Sequence, residues 1–193
     1  VEPLVRINNR RLLSGFFAGI GLADVSSEVL RAIDKMEKIS REDLKAELAT
    51  AGCDTAQTAK VLEFIALDGS NDAILDSLRN LAIKDVNFAQ GLKELTALVA
   101  ALRDMKIPEK RFQIDLRIAR GLDYYTGTVY ETKLDGYPEL GSVCSGGRYD
   151  DLASNYTKTQ LPGVGISIGL SRLYYKLREA GILAPTRQSL APV

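Results

Sequence analysis

Residues 120–131 read Arg-Gly-Leu-Asp-Tyr-Tyr-Thr-Gly-Thr-Val-Tyr-Glu and run on into Thr132-Lys133-Leu134. From Val129 to Leu134 the residues have strand character, so this stretch predicts a loop feeding a strand. It holds one arginine, two glycines, two carboxylates and three tyrosines, a mixture that an ordinary core strand does not need. The Arg120 guanidinium is charged at any working pH and offers a planar donor fork to a carboxylate or phosphate, and beside it Gly121 lets backbone approach a ligand closely. Arg120 therefore either meets an anionic ligand or forms an ion pair with Asp123 or Glu131. Tyr124 and Tyr125 offer a hydroxyl and a ring face to one site, or pack in the core. Alternation in extended backbone predicts that the two face opposite ways.

Further strands flank this one. Phe112 to Ile118 alternates, with Phe112, Ile114, Leu116 and Ile118 on one face. Gly141 to Cys144 reads as a short strand, Asp135-Gly136-Tyr137-Pro138 as a turn, and Gly163 to Ile168 as a strand entering a helix over Leu170 to Ala180 that Gly181 stops. Near the start, Leu4, Val5 and Ile7 predict a strand, then a turn at Asn8-Asn9 and a short helix through Phe16, Phe17 and Ile20, broken at Gly21. Residues 26–106 read as nearly pure helix. Ser27, Ser40, Asp54 or Thr55, and Ser70 are the expected starts, with a capping box at Ser40 to Asp43. A longer helix is expected from Phe88 to Met105, Gly52 and Gly69 are the expected stops, and Pro108 ends the run. The apolar stripes are helix-bundle core.

The class is therefore α+β, a largely antiparallel sheet with an all-helical insertion. The expected divisions are 1–25 and 107–181 for the sheet core, 26–106 for the insertion and 182–193 for a linker.

Composition narrows the chemistry. Twenty-five basic and twenty-five acidic residues cancel, so net charge argues neither for a nucleic-acid coat nor for a membrane surface. Residues 26–106 carry 11 Lys/Arg against 14 Asp/Glu, and residues 107–178 carry 10 against 8. No apolar run is long enough to span a membrane. Two cysteines, Cys53 and Cys144, fit a reducing cytosol and provide no disulfide framework. The chain has no histidine, which removes Ser-His-Asp triads, Cys-His dyads and His-based metal sites.

Two more stretches hold candidate ligand groups. Gly146-Gly147-Arg148-Tyr149-Asp150 is either a common turn or a bare backbone wall over which Tyr149 closes; it lacks the Walker phosphate-loop pattern. Arg172 falls in the first turn of the last expected helix, where the dipole favours acids. It is either simply exposed or held there by a bound phosphate.

Arg120 to Glu131, Cys144 to Leu152 (CSGGRYDDL) and Gly163 to Leu173 (GVGISIGLSRL) resemble, in order and spacing, three signatures of the histidyl-tRNA synthetase family: two histidine-recognition motifs and class II motif 3. RINNRRLL, residues 6–13, is similar to the strand that follows motif 2. The resemblance implies that Arg120 is a catalytic arginine touching the α-phosphate of ATP and the histidine carboxylate. It implies that Tyr124 and Tyr125 line the histidine pocket, with Gly146, Gly147 and Tyr149 as its wall, and that Arg172 lies against ATP. Residues 26–106 would be an insertion that approaches the tRNA(His) acceptor stem. Mg2+ would accompany ATP, and the whole protein would be a cytoplasmic homodimer.

The family's motif 1, motif 2, Glu-Asp-Pro-Thr segment and anticodon-binding domain are missing from these 193 residues. The chain is thus expected to be a fragment, inactive alone. Two rival readings are the non-catalytic regulatory subunit of ATP phosphoribosyltransferase, which has the same fold but against which the intact Arg120 and tyrosine stretch argue, and a helical tRNA- or protein-binding module.

Overall fold

The computed structural model describes residues 2–121, 124–134, 136–137, 140–152 and 156–183. Strand β1 (Pro3–Asn9) alternates Val5 and Ile7 on one face with Leu4, Arg6 and Asn8 on the other, then passes straight into helix α1 (Arg10–Gly19). There is no intervening turn, because Asn9 itself caps the helix. Its side-chain oxygen accepts from the backbone N–H groups of Arg11 (2.9 Å) and Leu12 (3.3 Å), satisfying donors that the first helical turn leaves free.

Five helices follow: α2 (Ser26–Lys35), α3 (Arg41–Thr50), α4 (Thr55–Ile65), α5 (Asn71–Asn80) and α6 (Val86–Asp104). Ser40 and Asp54 form capping boxes with Asp43 and Gln57, and Ser70 caps α5. Two expected starts move. Helix α2 begins one residue before Ser27, with Val25 at its cap position and no side-chain cap. Helix α6 begins before Phe88 because Asp85 caps it, accepting from Asn87 and Phe88. Gly52, at φ +101°, directly follows the α3 cap as expected, whereas α4 ends at Ile65 with Ala66 as its cap, three residues before Gly69 (φ +119°).

After a 3-10 turn (Glu109–Arg111), β2 spans only Phe112–Ile114, shorter than the alternation suggests. Phe112, Ile114, Leu116 and Ile118 are all buried, but Asp115 folds its carboxylate onto the Arg117 N–H (3.1 Å) and turns the chain out of the ladder. Asn8 then donates to the carbonyls of Leu116 (3.2 Å) and Ile118 (2.9 Å) in place of strand bonds. Strand β3 (Thr128–Leu134) lies where expected. Strand β4 is Cys144–Tyr149, so the Gly146-Gly147 segment is strand rather than turn and starts where the expected strand ends. Strand β5 (Gly163–Ile168) leads into helix α7 (Leu170–Glu179). Of the expected turn at 135–138, Asp135 and Pro138 lie outside the described residues, as do residues 184–193 of the expected linker.

The sheet order is β2-β1-β3-β4-β5, with β1 and β2 parallel and the remaining pairs antiparallel. Parallel neighbours need a long crossover, and α1 to α6 provide it. Helices α1 and α6 cross where Gly15 faces Phe88 and Gly91 faces Leu12; a Cβ at either glycine would strike the other helix's backbone. Phe16 of α1 stacks on Phe64 of α4 with centroids 3.8 Å apart. One continuous hydrophobic cluster joins these helices to Ile7, Phe112 and Ile114 of the sheet. No described helix is long and apolar enough to cross a membrane.

Candidate active site

Directly opposed residues in an antiparallel pair share a face, so the strand register sorts the candidates. On one face Glu131, Ser145 and Ser167 form one row across β3, β4 and β5, and Val129, Gly147 and Gly165 form the next. Tyr149 and Gly163 continue it beyond. Successive rows lie about 7 Å apart along the strands.

Arg120 docks at the first row. Its Nη2 lies 2.8 Å from Oε1 of Glu131; the Glu131 side chain is 6% exposed and that of Arg120 is 49% exposed. Glu131 is thus the partner, of the two acids beside Arg120 in the sequence, that the structure describes; Asp123 lies outside the described residues. The guanidinium keeps an open side toward solvent.

Tyr125 covers the second row. Its ring lies where a Cβ on Gly147 would come within 2.8 Å of Cδ1, and a Cβ on Gly121 would overlap the same ring. Tyr124 and Tyr125 do not face opposite ways. Both N–H groups turn back toward the Gly121 carbonyl, at 3.4 and 3.2 Å, so the backbone is not extended, and the rings lie 4.3 Å apart. Burial first, and the adjacent Tyr124 hydroxyl second, push the Tyr125 phenol up to about 12, so it stays a neutral donor and acceptor near neutrality. In the third row, Tyr149 lies across Gly163 and Gly165; a Cβ on Gly163 would come within 2.6 Å of its ring.

Gly146 does not join this wall. It points to the opposite face, where Tyr130 lies across it and donates its hydroxyl to the Gly165 carbonyl (2.6 Å). Arg172 stands off the end of β5, where it donates from Nη2 to the Ser142 carbonyl (2.7 Å). It is exposed, so in this structure its first-turn position is held by a carbonyl.

Polar groups that the sequence reading passed over brace the tyrosine segment. Arg11 donates to the Thr126 carbonyl (3.1 Å) and to Asp150 (3.2 Å), Thr126 donates its hydroxyl to Asp150 (2.8 Å), and Arg148 donates to Asp150 (2.9 Å). The Thr126 hydroxyl and, behind it, the Arg148 charge hold the Asp150 carboxyl below its usual range. Asn9 extends the brace to Glu94 of α6 (2.7 Å). The signal available was Asn8-Asn9 at the end of an alternating strand: two buried amides at a strand–helix junction.

The family model described as histidyl-tRNA synthetase matches residues 2–173. The chain belongs to the histidyl-tRNA synthetase family. It is 50% identical over 185 residues to a histidine–tRNA ligase of Clostridium tetani, covering 96% of this chain and 42% of that relative. To a histidine–tRNA ligase of Nostoc punctiforme it is 46% identical, covering 98% and 41%. A crystal structure of histidyl-tRNA synthetase from Nostoc sp. PCC 7120 superposes with a TM-score of 0.91 at 45% identity, over 95% of this chain and 43% of that one. A Bacillus halodurans structure titled as an ATP phosphoribosyltransferase regulatory subunit/histidyl-tRNA synthetase superposes at 0.74 with 22% identity, a likeness of fold alone. The chain spans about two-fifths of the length of these synthetase relatives.

Proposed function

We propose that the protein carrying this chain is a histidine–tRNA ligase, which activates L-histidine with ATP to histidyl-adenylate and transfers it to tRNA(His). The observation that carries the reading is the two-row layout: an arginine at Glu131 and, one row along the same face, a tyrosine over Gly147. A ligand with a carboxylate at one end and a polar ring at the other fits that spacing.

In the first step a histidine carboxylate oxygen attacks the α-phosphorus of ATP, forming a P–O bond as pyrophosphate leaves. A carboxylate has no proton to lose, so the step needs no general base. Charge that builds on the phosphoryl oxygens meets the free N–H groups of Arg120, a fixed cation aimed at the transition state. Tyr125, neutral at working pH, hydrogen-bonds an imidazole nitrogen, with Tyr124 and Tyr149 closing the ring's surroundings over Gly147, Gly163 and Gly165. Arg172 retains donors for ATP beyond the one given to Ser142. Mg2+ accompanies ATP; the described residues hold no cluster of three side chains that could ligate a metal, so no step is assigned to a metal held by them.

Residues 26–106 act as the helical insertion toward the acceptor stem between core segments 1–25 and 107–181, and the whole protein is a cytoplasmic homodimer. The 193-residue chain alone does not catalyse activation. Histidine-dependent ATP–pyrophosphate exchange tests the reading: the full-length protein exchanges, Arg120→Ala does not, and robust exchange by the isolated chain would reject the fragment assignment.

A further inference from the structure

We propose that Glu131 is the positioning residue for Arg120, fixing one edge of the guanidinium so that the other edge is aimed at the ligand; this rests on the catalytic reading of Arg120 above. Glu131 stands on β3, the central strand, paired to β1 on one side and β4 on the other. A side chain rooted there cannot drift. It is 4% exposed, and its Oε1 makes no hydrogen bond of acceptable geometry. A buried carboxylate so placed is costly unless a cation neutralises it.

The cross-strand neighbour would be the obvious cation. Arg6 sits directly opposite Glu131 in the β1–β3 register, yet its guanidinium is committed to Asp115 at 3.0 Å. Lys133, two residues along the same face, pairs with Glu37, just past the end of α2. Among the described residues Glu131 has one ion pair, with Arg120. The dependence is not mutual: Arg120 is half exposed and would remain solvated without a partner.

That asymmetry separates holding from stabilising. An exposed arginine gains little stability from a pair, while a carboxylate kept buried on a rigid strand fixes where the arginine's Nη2 sits. Nη2 carries two hydrogens, one on the edge it shares with Nε and one on the edge it shares with Nη1, so pairing with Glu131 along one edge leaves the other as a donor fork for an anion. The small cleft beside the pair is lined by Ile33 and Asp34 of α2, by Met36 just after that helix, and by Ile118.

The test is a double-mutant cycle in histidine-dependent ATP–pyrophosphate exchange by the full-length protein. Glu131→Gln keeps the shape and removes the charge. It should lower kcat about 10–100-fold, the loss expected when a reacting group is misplaced by roughly an ångström. KM for ATP and histidine and the melting temperature should change little. In the Arg120→Ala background the same change should add no further loss, because Glu131 acts only through Arg120. Wild-type kcat in Glu131→Gln, or a loss that adds in full to that of Arg120→Ala, would overturn the proposal. Undiminished exchange by Arg120→Ala would instead overturn the catalytic reading itself. Should Glu131→Gln fail to fold, Glu131→Asp keeps the charge but draws it back by one methylene. It should show the same selective fall in kcat, and wild-type kcat there would refute the positioning role.

Discussion

Gly146 and Gly147 are neighbours in sequence with opposite surroundings, and alanine at each should separate stability from binding. At Gly146 an added Cβ would stand 2.6 Å from Cζ of Tyr130 and closer still to the Gly165 carbonyl oxygen. Carbon contacts settle near 3.5–4.0 Å, so the ring must retreat by about 1 Å or β5 must move. Overpacking of that kind costs about 1–3 kcal/mol. Losing the Tyr130–Gly165 hydrogen bond adds about 1 kcal/mol. The sum, about 2–4 kcal/mol, corresponds in a chain of this size to roughly 5–15 °C in Tm.

At Gly147 the Cβ would meet Tyr125 Cδ1 at 2.8 Å and the Thr128 carbonyl at 2.9 Å. The partly buried tyrosine ring can lift, but the Thr128 carbonyl is backbone and gives less easily, so stability should fall by about 1–2 kcal/mol, while the proposed imidazole contact is lost. A forfeited hydrogen bond of 1–3 kcal/mol weakens histidine binding roughly 5- to 150-fold. Urea unfolding reads the first quantity, and calorimetric titration of the full-length protein with histidine reads the second. Equal destabilisation by both variants, with histidine affinity unchanged in both, would refute the assignment of the two glycines to opposite faces.

Two predictions concern the supports of this face. Phe64→Ala removes a ring that is 2% exposed and stacked on Phe16; a loss of about 3–5 kcal/mol is expected, read as a lower urea midpoint. For Asp115, burial pushes the carboxyl up, but the hydrogen bonds and charge of Arg117, with Arg6, outweigh it and hold it below its ordinary 3.8. A depressed carboxylate contributes stability that is present above the ordinary value and lost as pH falls through the folded one. Asp115→Asn should therefore reduce stability near pH 7 by about 1–3 kcal/mol, discounted for the water that reaches Arg117. It should also flatten the decline in stability below pH 4. An unchanged acid limb would place the titrating group elsewhere.

Local chemistry made much of this fold legible. Ser40-Arg41-Glu42-Asp43 announces a capping box because both halves lie within one turn, and Ser70 and Gly52 act through their immediate backbone. The reading failed where a distant partner decides. Alternation carried the expected strand to Ile118, yet Asn8, more than a hundred residues away, accommodates those carbonyls after a turn made by Asp115. Gly15 and Gly91 carry no helical signal, and only the crossing of α1 and α6 explains them. In the site, Arg120, Tyr125, Gly147 and Tyr149 were readable as ligand-binding types, but the face each occupies depends on register. Register puts Gly146 and Gly147 on opposite faces, and the backbone folded back onto the Gly121 carbonyl puts the two tyrosine rings side by side. The brace through Arg11, Thr126 and Asp150 joins residues up to 139 positions apart, which spacing along the chain does not reveal.

Arg120 is proposed to stabilise the charge that develops as histidine is adenylated. The most direct test is the rate of histidine-dependent ATP–pyrophosphate exchange by the full-length protein with Arg120→Ala. Removing a donor aimed at developing charge lowers kcat by about 100- to 1,000-fold, and the account predicts that fall with ATP affinity nearly intact. An unchanged kcat would contradict it.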